Sequence, residues 1–332
     1  MTALLAPHDI AATGVDACYR APWWLPGPHL QTIVARWLAG SAADLQFERE
    51  TWETPDGDFI DVDTAGPNDA RRVLVLFHGL EGSSASHYVR IIFRHALRAG
   101  GWRCAVPHFR GCSGRPNQLP RAYHAGDSAE IGWILERFSR QYQTVCAAGV
   151  SLGGNALLKW LGEQGAAASQ VVARAVAISA PVDLNAFGGE IGRGFNRLYG
   201  WHFLYFTPLR RKALAKLERF PDFHAVRGID ASSIRSASTL PAFDAALTAP
   251  LHGFADHIDY WTRSSALPLL ARITVPTLLI NARNDPFLPE WALPTTSVSS
   301  AVEFDFPQQG GHGGFPGCRQ WLARRVLEFL DR

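Results

Sequence analysis

The sequence is poor in the features that mark metal-binding, nucleic-acid-binding and membrane-spanning proteins. Its 332 residues contain no Cys-x-x-Cys pair and no His-Glu-x-x-His or His-x-x-Glu-His spacing, so we predict no metal and no cofactor. The net charge is only +2 and no dense run of lysine and arginine is present, which argues against binding to nucleic acid. No apolar stretch reaches about 18 residues, so no transmembrane helix is predicted.

The cysteines give no sign of a disulfide framework. There are five, an odd number, and they are scattered along the chain. The N-terminus also lacks the basic region followed by an apolar one that a secretory signal would have. We therefore expect reduced thiols in a soluble, cytoplasmic protein, with peripheral contact to a membrane left open. The cysteines are Cys18, Cys104, Cys112, Cys146 and Cys318.

Strand-like and helix-like patterns alternate along most of the chain, and this order predicts a doubly wound, mostly parallel α/β fold. The hairpin signal Pro55-Asp56-Gly57-Asp58 precedes the apolar run Arg72–Phe77, which is typical of a buried parallel strand. Further βα units follow, then about 90 residues with helical patterns and no convincing strand, then two more strands. The inserted block follows the carboxyl end of a strand, where a lid over a ligand site belongs.

This pattern divides the chain into three parts. The inserted helical block is expected to form a cap, and the βα units before and after it form the core. The N-terminal segment is expected to lie on the core as a strap. The predicted ranges are a strap over 1–44, a core over 45–181 and 273–332, and a cap over 182–272.

The strap contains an unusual aromatic and proline-rich stretch. Trp23 and Trp24 need burial, which favours a segment lying across the main domain. The alternative is an aromatic anchor at a membrane interface. Prolines and a glycine exclude a regular helix here, and a short helix is predicted after them, over Leu30–Leu38.

The sequence Gly149-Val150-Ser151-Leu152-Gly153 stands where an apolar strand passes directly into a helix. A nucleophile elbow requires this context, because the tight turn leaves no room for side chains beside the serine. Ser151 would then be exposed at the carboxyl end of the sheet, and the amide of Leu152 would point to a developing oxyanion. The bare pattern can also arise by chance, and a glycine-containing turn alone would explain it.

An acid and a base occur at the positions that an α/β-hydrolase requires. Asp285 follows the first strand after the cap and His312 follows the last strand, which gives the chain order Ser, acid, His. Imidazole could take the proton of Ser151, and the carboxylate would fix its tautomer. Asp183, after the preceding strand, is an alternative acid. Leu80, in the loop after the first parallel strand, is expected to supply the second oxyanion amide.

Most other titratable residues are expected to have structural rather than catalytic roles. His78 is expected to order its loop by hydrogen bonding rather than to act as a base. Glu303 and Asp305, within the last strand, are expected to be surface residues or structural partners. Most of the remaining histidines are expected to be solvated or satisfied in the core, with one or two lining an acyl pocket. These are His108, His124, His202, His224, His252 and His257.

Further motifs occur in a fixed order and cover nearly the whole chain. They are Pro22–Trp24 with Pro28–Thr32, Phe77–Ser84 through Tyr88, Phe109–Gly114, Tyr123–Asp127, Gly149–Asn155, Asp244–Phe254 and Asp285–Phe287. Together they resemble the YheT group of α/β-hydrolases, which is related to the plant embryogenesis-associated and animal abhydrolase-domain esterases. The resemblance implies Ser151 as nucleophile, Asp285 as acid and His312 as base. Asn284 departs from the group, which commonly has a second acidic residue there.

The resemblance also implies an activity, the hydrolysis of carboxylic esters. Short- or medium-chain acyl esters or acylglycerol-type lipids are the expected substrates, so the expected partner is a small-molecule ester with an apolar acyl chain. A thioesterase or amidase with the same triad, and a catalytically silent binding protein, are alternatives. Aromatic side chains of the cap are expected to supply the acyl site. They are Phe195, Tyr199, Trp201, Phe203, Tyr205 and Phe206.

Overall fold

One mixed sheet lies at the centre of the fold. The computed structural model describes residues 19–38, 45–294, 298–317 and 320–332. The strands are β1 Glu48–Glu53, β2 Phe59–Ala65, β3 Arg72–Phe77, β4 Trp102–Pro107, β5 Thr144–Val150, β6 Arg174–Ile178, β7 Thr277–Ile280 and β8 Val302–Asp305. Their order in the sheet is β1-β2-β4-β3-β5-β6-β7-β8. The pairs β1–β2 and β2–β4 are antiparallel, and every other neighbouring pair is parallel.

Helices flank the sheet and fill the segment between β6 and β7. The α-helices are α1 Pro28–Leu38, α2 His87–Ala99, α3 Ser128–Ser139, α4 Leu152–Gln164, α5 Leu184–Ile191, α6 Arg197–Tyr205, α7 Leu209–Arg219, α8 Pro221–Ala225, α9 Ala231–Ser236, α10 Leu240–Phe243, α11 Ala249–Leu251, α12 His257–Ser264 and α13 Trp321–Leu330. Short 3₁₀ helices occupy Gly165–Gln170, Gly194–Asn196, Leu267–Arg272 and Glu290–Ala292, and a π-helical turn occupies Asp244–Thr248.

The central strands are buried on both faces, which explains their unbroken apolar sequences. In β3, Val73 and Val75 pack in the cluster that includes α3 and α4, while Leu74 and Leu76 pack in the cluster that includes α2 and α13. Each fully buried aliphatic side chain contributes about 2 kcal/mol relative to exposure. This doubly wound, mostly parallel sheet confirms the predicted fold class.

The segment between β6 and β7 is helical and has its own apolar clusters. Residues 182–272, all of which the structure describes, contain no strand. Ile191, Leu204 and Phe243 belong to one buried cluster of this segment, and Tyr260 and Trp261 belong to another. We propose that this segment forms a cap over the carboxyl edge of the sheet.

The N-terminal segment differs from its prediction in two respects. Trp23 and Trp24 are 92% and 50% exposed, so the expectation that both are buried is wrong. They occupy the two central positions of a turn closed by the Leu25 amide on the Pro22 carbonyl oxygen (2.9 Å), and this turn directs Leu25 inward instead. The helix begins at Pro28 rather than at the predicted Leu30, because proline is tolerated in a first turn.

Candidate active site

The strand-to-helix turn at Ser151 is held in a strained conformation. Ser151 has φ 53° and ψ −120°, a region that costs a non-glycine residue on the order of 1–3 kcal/mol. Its amide donates to the Ile178 carbonyl oxygen at 2.9 Å, which fixes the turn against β6. A Cβ atom on Gly149 would lie 2.5 Å from the Gly153 carbonyl oxygen, and one on Gly153 would lie 2.5 Å from the Phe77 carbonyl oxygen. The predicted crowding around the serine is therefore present.

Ser151, His312 and Asp285 are joined by hydrogen bonds. Nε2 of His312 lies 2.9 Å from Ser151 Oγ, and Nδ1 lies 2.8 Å from Asp285 Oδ2. The other carboxylate oxygen of Asp285 accepts the amide of Phe287 at 2.9 Å, and the ring of Phe287 lies 4.7 Å from that of His312. Asp285 is 5% exposed, so its charge acts on the imidazole with little screening by solvent.

The alternative acid has another role in this structure. The Asp183 carboxylate accepts the amides of Asn185 and Ala186 and so caps the N-terminus of α5. It is Asp285, not Asp183, that contacts His312. The acidic residues of the last strand are ion-paired, as expected. The pairs are Glu303 with Arg332 at 3.1 Å and Asp305 with Arg325 at 2.6 Å.

Helix α1 positions the loop that carries His312, which the sequence did not reveal. Thr32 Oγ1 accepts the amide of His312 at 2.9 Å. The Gln31 side chain is fully buried, and its Oε1 accepts the amide of Gly310 at 2.9 Å. The motif Pro28–Thr32 signalled that this segment matters, but a motif does not say which loop its side chains will reach.

Asn284, the residue that departs from the family pattern, is part of the same network. Its Nδ2 donates to Gln31 Oε1 at 3.0 Å, and its Oδ1 accepts the amide of Gly311 at 3.1 Å. An ionised carboxylate could accept from Gly311 but could not donate to Gln31. The departure is therefore accommodated by the amide's ability to do both.

In the loop after β3, the backbone amides on both sides of Leu80 are already hydrogen-bonded. The Gly79 amide donates to Tyr88 Oη and the Glu81 amide donates to Tyr123 Oη, each at 2.9 Å. Within the described residues, the Leu80 amide has no hydrogen-bond acceptor. Leu80 also lines the cavity that contains Ser151.

The amide of Leu152 is the other predicted oxyanion donor. Leu152 is the first residue of α4, where backbone amides have no intrahelical acceptor and the helix dipole favours negative charge. It lines the same cavity as Leu80 and Ser151. Both candidate donors therefore border the space in front of the serine.

His78 is neutral and orders its own loop, as predicted. Its Nε2 accepts the amide of Phe109 at 3.1 Å, so Nδ1 carries the proton and donates to the Gly79 carbonyl oxygen at 2.8 Å. Complete burial lowers the pKa of His78 to about 3. A histidine that is buried and hydrogen-bonded on both nitrogens has no free position from which to act as a base.

A cavity of about 600 Å³ extends from Ser151 between the sheet edge and the helices that follow β6. Its walls are mainly apolar, and two histidines also line it, as expected for one or two of the loop histidines. Burial lowers the pKa of both His124 and His252 to about 3. The main apolar residues from the helical segment are Leu184, Phe187, Ile191, Leu240, Phe243 and Leu247.

The aromatic residues predicted to form the acyl site do not line this cavity. None of the six is among its lining residues. Tyr199 and Phe203 pack in the apolar cluster of the helical segment. The other four are largely exposed to solvent. They are Phe195, Trp201, Tyr205 and Phe206.

Two lysines of α7 line the cavity, and the surrounding residues hold both side chains. Lys212 Nζ pairs with Glu81 at 2.6 Å. Lys216 Nζ donates to the carbonyl oxygens of Leu119 and Arg121 at 2.7 and 2.8 Å, and burial lowers its pKa to about 8.

The described residues contain no group of three or more histidine, cysteine, aspartate or glutamate side chains that could hold a metal ion.

Comparison with known proteins identifies the family. Residues 72–312 match the family with the α/β hydrolase fold. The chain belongs to this family. YheT of Escherichia coli (strain K12), which carries an esterase name, is 36% identical over 313 residues that cover 91% of this chain and 89% of that protein. The predicted membership of the YheT-like α/β-hydrolases is confirmed.

More distant members of the α/β-hydrolase family carry lipase names. "Phospholipase ABHD3" of Mus musculus is 27% identical over 96% of this chain and 77% of its own length. "Monoacylglycerol lipase" of Saccharomyces cerevisiae is 25% identical over 85% of this chain and 63% of its own length. Among solved structures, the Pyrococcus furiosus esterase Pf2001 has a TM-score of 0.55 at 17% identity and covers 87% of this chain and 91% of that chain. This last similarity concerns the fold alone.

Proposed function

We propose that this α/β-hydrolase cleaves carboxylic esters through an acyl-enzyme formed on Ser151. The observation that carries the proposal is the unbroken series of hydrogen bonds from Asp285 through His312 to Ser151 Oγ, at 2.8 and 2.9 Å. The esterase and lipase names of the relatives support ester-cleaving chemistry as the class of reaction.

In the proposed mechanism, His312 acts first as a base and then as an acid. Its Nε2 takes the proton of Ser151 Oγ as the oxygen attacks the ester carbonyl carbon. Asp285 stabilises the imidazolium and holds Nδ1 protonated. The imidazolium then returns the proton to the alcohol oxygen, and the C–O bond breaks. Water, activated by the same nitrogen, hydrolyses the acyl-serine.

The amides of Leu80 and Leu152 are proposed to bind the oxyanion. The tetrahedral intermediate places a negative charge on the former carbonyl oxygen, and two preorganised amides stabilise it more than they stabilise the neutral ester. Both residues border the cavity in front of Ser151. The Leu80 amide has no acceptor among the described residues, and the Leu152 amide stands at the first position of α4, where no intrahelical acceptor is available.

The cavity supports an apolar acyl group as the part of the substrate that it holds. A volume of about 600 Å³ with mainly apolar walls has room for a short or medium acyl chain, or for an acylglycerol-type lipid. The monoacylglycerol lipase and phospholipase names of two relatives are compatible with this class.

The proposal is tested by steady-state hydrolysis of p-nitrophenyl esters of graded acyl length. We expect activity that Ser151→Ala lowers by at least about a thousandfold. Ser169→Ala is the matched control, because Ser169 Oγ is exposed and bonds only to the nearby Ala166 carbonyl oxygen. Equal rates for wild type and Ser151→Ala would overturn the proposal, and activity confined to thioesters or amides would change the substrate class.

A further inference from the structure

Helix α1 with the turn before it, and helix α6 with its flanks, expose large apolar side chains to solvent. Six of them are 46–92% accessible. Monomeric proteins rarely expose large contiguous apolar patches without a binding role. We call these residues the aromatic face: Trp23, Trp37, Phe195, Leu198, Trp201 and Phe206.

Helix α1 contacts α6 and the residue Phe195 before it through His29. At one end, the ring of His29 in α1 lies 4.5 Å from that of Phe195, and its Nδ1 lies 3.1 Å from Tyr199 Oη in α6. Further along, burial and the charge of Arg36 in α1 lower the pKa of His202 in α6. The exposed side chains of the two helices therefore belong to one region of the surface.

The two segments that carry the aromatic face contain charge of one sign. Residues 19–38 and 191–217 contain no aspartate or glutamate. They do contain several arginines, and Arg36 and Arg197 are exposed next to the apolar side chains. Tryptophan and tyrosine with flanking arginine are the residues that proteins place at the boundary between bilayer and water, and basic residues there are attracted to anionic lipids.

A second copy of this chain fits the aromatic face less well than a lipid surface does. In a two-fold dimer the same surface patch contacts itself. Arg36 and Arg197 would then approach the same arginines of the other copy, and neither segment has a carboxylate to neutralise them. Anionic headgroups remove this repulsion and leave the apolar side chains free to enter the boundary layer.

We propose that the aromatic face docks on the surface of a lipid bilayer that bears anionic headgroups. The docked helix α1 would have the His312 loop on its opposite side, because Gln31 and Thr32 bind that loop while Trp37 faces outward. Docking would therefore place the loop that carries His312 on the side of α1 opposite the lipid. This inference depends on the exposed residues of the aromatic face and is independent of the proposed ester hydrolysis.

Co-sedimentation with liposomes tests the docking directly. The full chain carrying Ser151→Ala is mixed with vesicles of phosphatidylcholine, alone or with phosphatidylglycerol, so that no hydrolysis can occur. We expect binding to the anionic vesicles and much less to the neutral ones. Trp37→Ser with Trp201→Ser should lower the partition coefficient at least tenfold, and the phenylalanine pair Trp37→Phe with Trp201→Phe should lose less.

Two further variants separate charge from apolar contact. Arg36→Gln with Arg197→Gln should weaken binding to the anionic vesicles by on the order of tenfold and leave the neutral ones unaffected. Val226→Ser is the control, since Val226 is 86% exposed but lies outside both segments, and it should bind like the parent. Thermal melts of every variant verify folding.

Three outcomes would overturn the docking. They are no binding to either vesicle, an equal loss with Val226→Ser, and a protein dimer in sedimentation velocity that the tryptophan variants dissociate. The last outcome would assign the face to a second copy. The tryptophan variants with Ser151 intact should hydrolyse soluble esters at the parental rate, so a failure of docking is distinguishable from a failure of the proposed function.

Discussion

Asp285 and Asp183 both follow strands at the carboxyl edge of the sheet, yet their carboxylates have different hydrogen-bond partners. Asp285 Oδ2 accepts a hydrogen bond from Nδ1 of His312 at 2.8 Å, while the Asp183 carboxylate accepts hydrogen bonds from two backbone amides at the start of α5. The chain order and strand positions were enough to predict both candidates. They favoured Asp285 but left Asp183 open as an alternative, because the contact itself depends on where one loop places the imidazole ring of His312.

This difference predicts unequal effects of removing the two charges. Asp285→Asn should lower kcat on the order of 10⁴-fold, the loss known for the corresponding change in a serine protease triad. Asp183→Asn keeps a side chain that can cap a helix, so its kcat should change less than about threefold. Steady-state kinetics on one ester decides this. A severe loss in Asp183→Asn with a mild one in Asp285→Asn would reverse the assignment.

Thr32 is predicted to act on the reaction through His312 rather than by contact with substrate. Thr32→Val keeps the shape but removes the acceptor for the His312 amide. We expect kcat to fall by about 10- to 100-fold with little change in KM, because a catalytic group displaced by about 1 Å can cost a factor of about 100. Thr274→Val is the control, since its hydroxyl donates to Gly165 at an exposed site. Serine at position 32 should restore most of the rate, and equal losses in Thr32→Val and Thr274→Val would exclude the positioning role.

At the scale of elements, the helical segment 182–272 shows that a sequence pattern does not determine which side chains line a cavity. Trp201 and Tyr205 are four positions apart, so they share one face of α6, which helical periodicity predicts. Periodicity does not say what covers that face. Here it faces solvent, and Ile191, Leu240 and Phe243 on other helices line the cavity instead.

The lining residues predict how acyl-chain length can be altered. Ile191→Trp should fill part of the cavity and lower kcat/KM for octanoyl esters about tenfold while leaving acetyl esters near wild type. Trp201→Phe is the comparison, because it changes an aromatic residue that does not line the cavity and should leave both substrates unaffected. Parallel losses on both esters in Ile191→Trp would indicate misfolding or a different acyl site.

At the scale of the whole molecule, two features of the sequence sufficed to predict the sheet. Unbroken apolar runs such as Arg72–Phe77 predicted strands covered on both faces, and their order predicted a parallel, doubly wound arrangement. The packing of α1 against the His312 loop was not predictable. It joins residues about 280 positions apart through single side chains, and no local pattern records such a contact.

Two histidines whose pKa is lowered in the folded protein predict that acid destabilises the fold. Burial lowers the pKa of His78 to about 3 and that of His87 to about 4, so both are neutral when folded but charge near pH 6.5 when unfolded. Their stabilisation is complete above pH 6.5 and is lost as the pH falls towards 4. The raised pKa of Asp244, to about 6, acts in the opposite direction and offsets part of the loss.

The contribution of one histidine is isolated by a variant. Urea unfolding of His87→Gln between pH 7 and 4 should show a free energy of unfolding that falls less steeply than in wild type. The difference should be up to about 1.4 kcal/mol per pH unit. An identical slope in the two proteins would contradict the neutral state of His87 in the folded protein.

The central claim is that Ser151 is a nucleophile activated by His312. Labelling with a fluorophosphonate probe, followed by mass spectrometry of the peptides, tests it most directly, because the probe reacts covalently only with an activated serine. The account predicts a single adduct on Ser151 that disappears in Ser151→Ala and forms at least a hundredfold more slowly in His312→Ala. No adduct in folded wild-type protein, or an adduct on another serine, would contradict it.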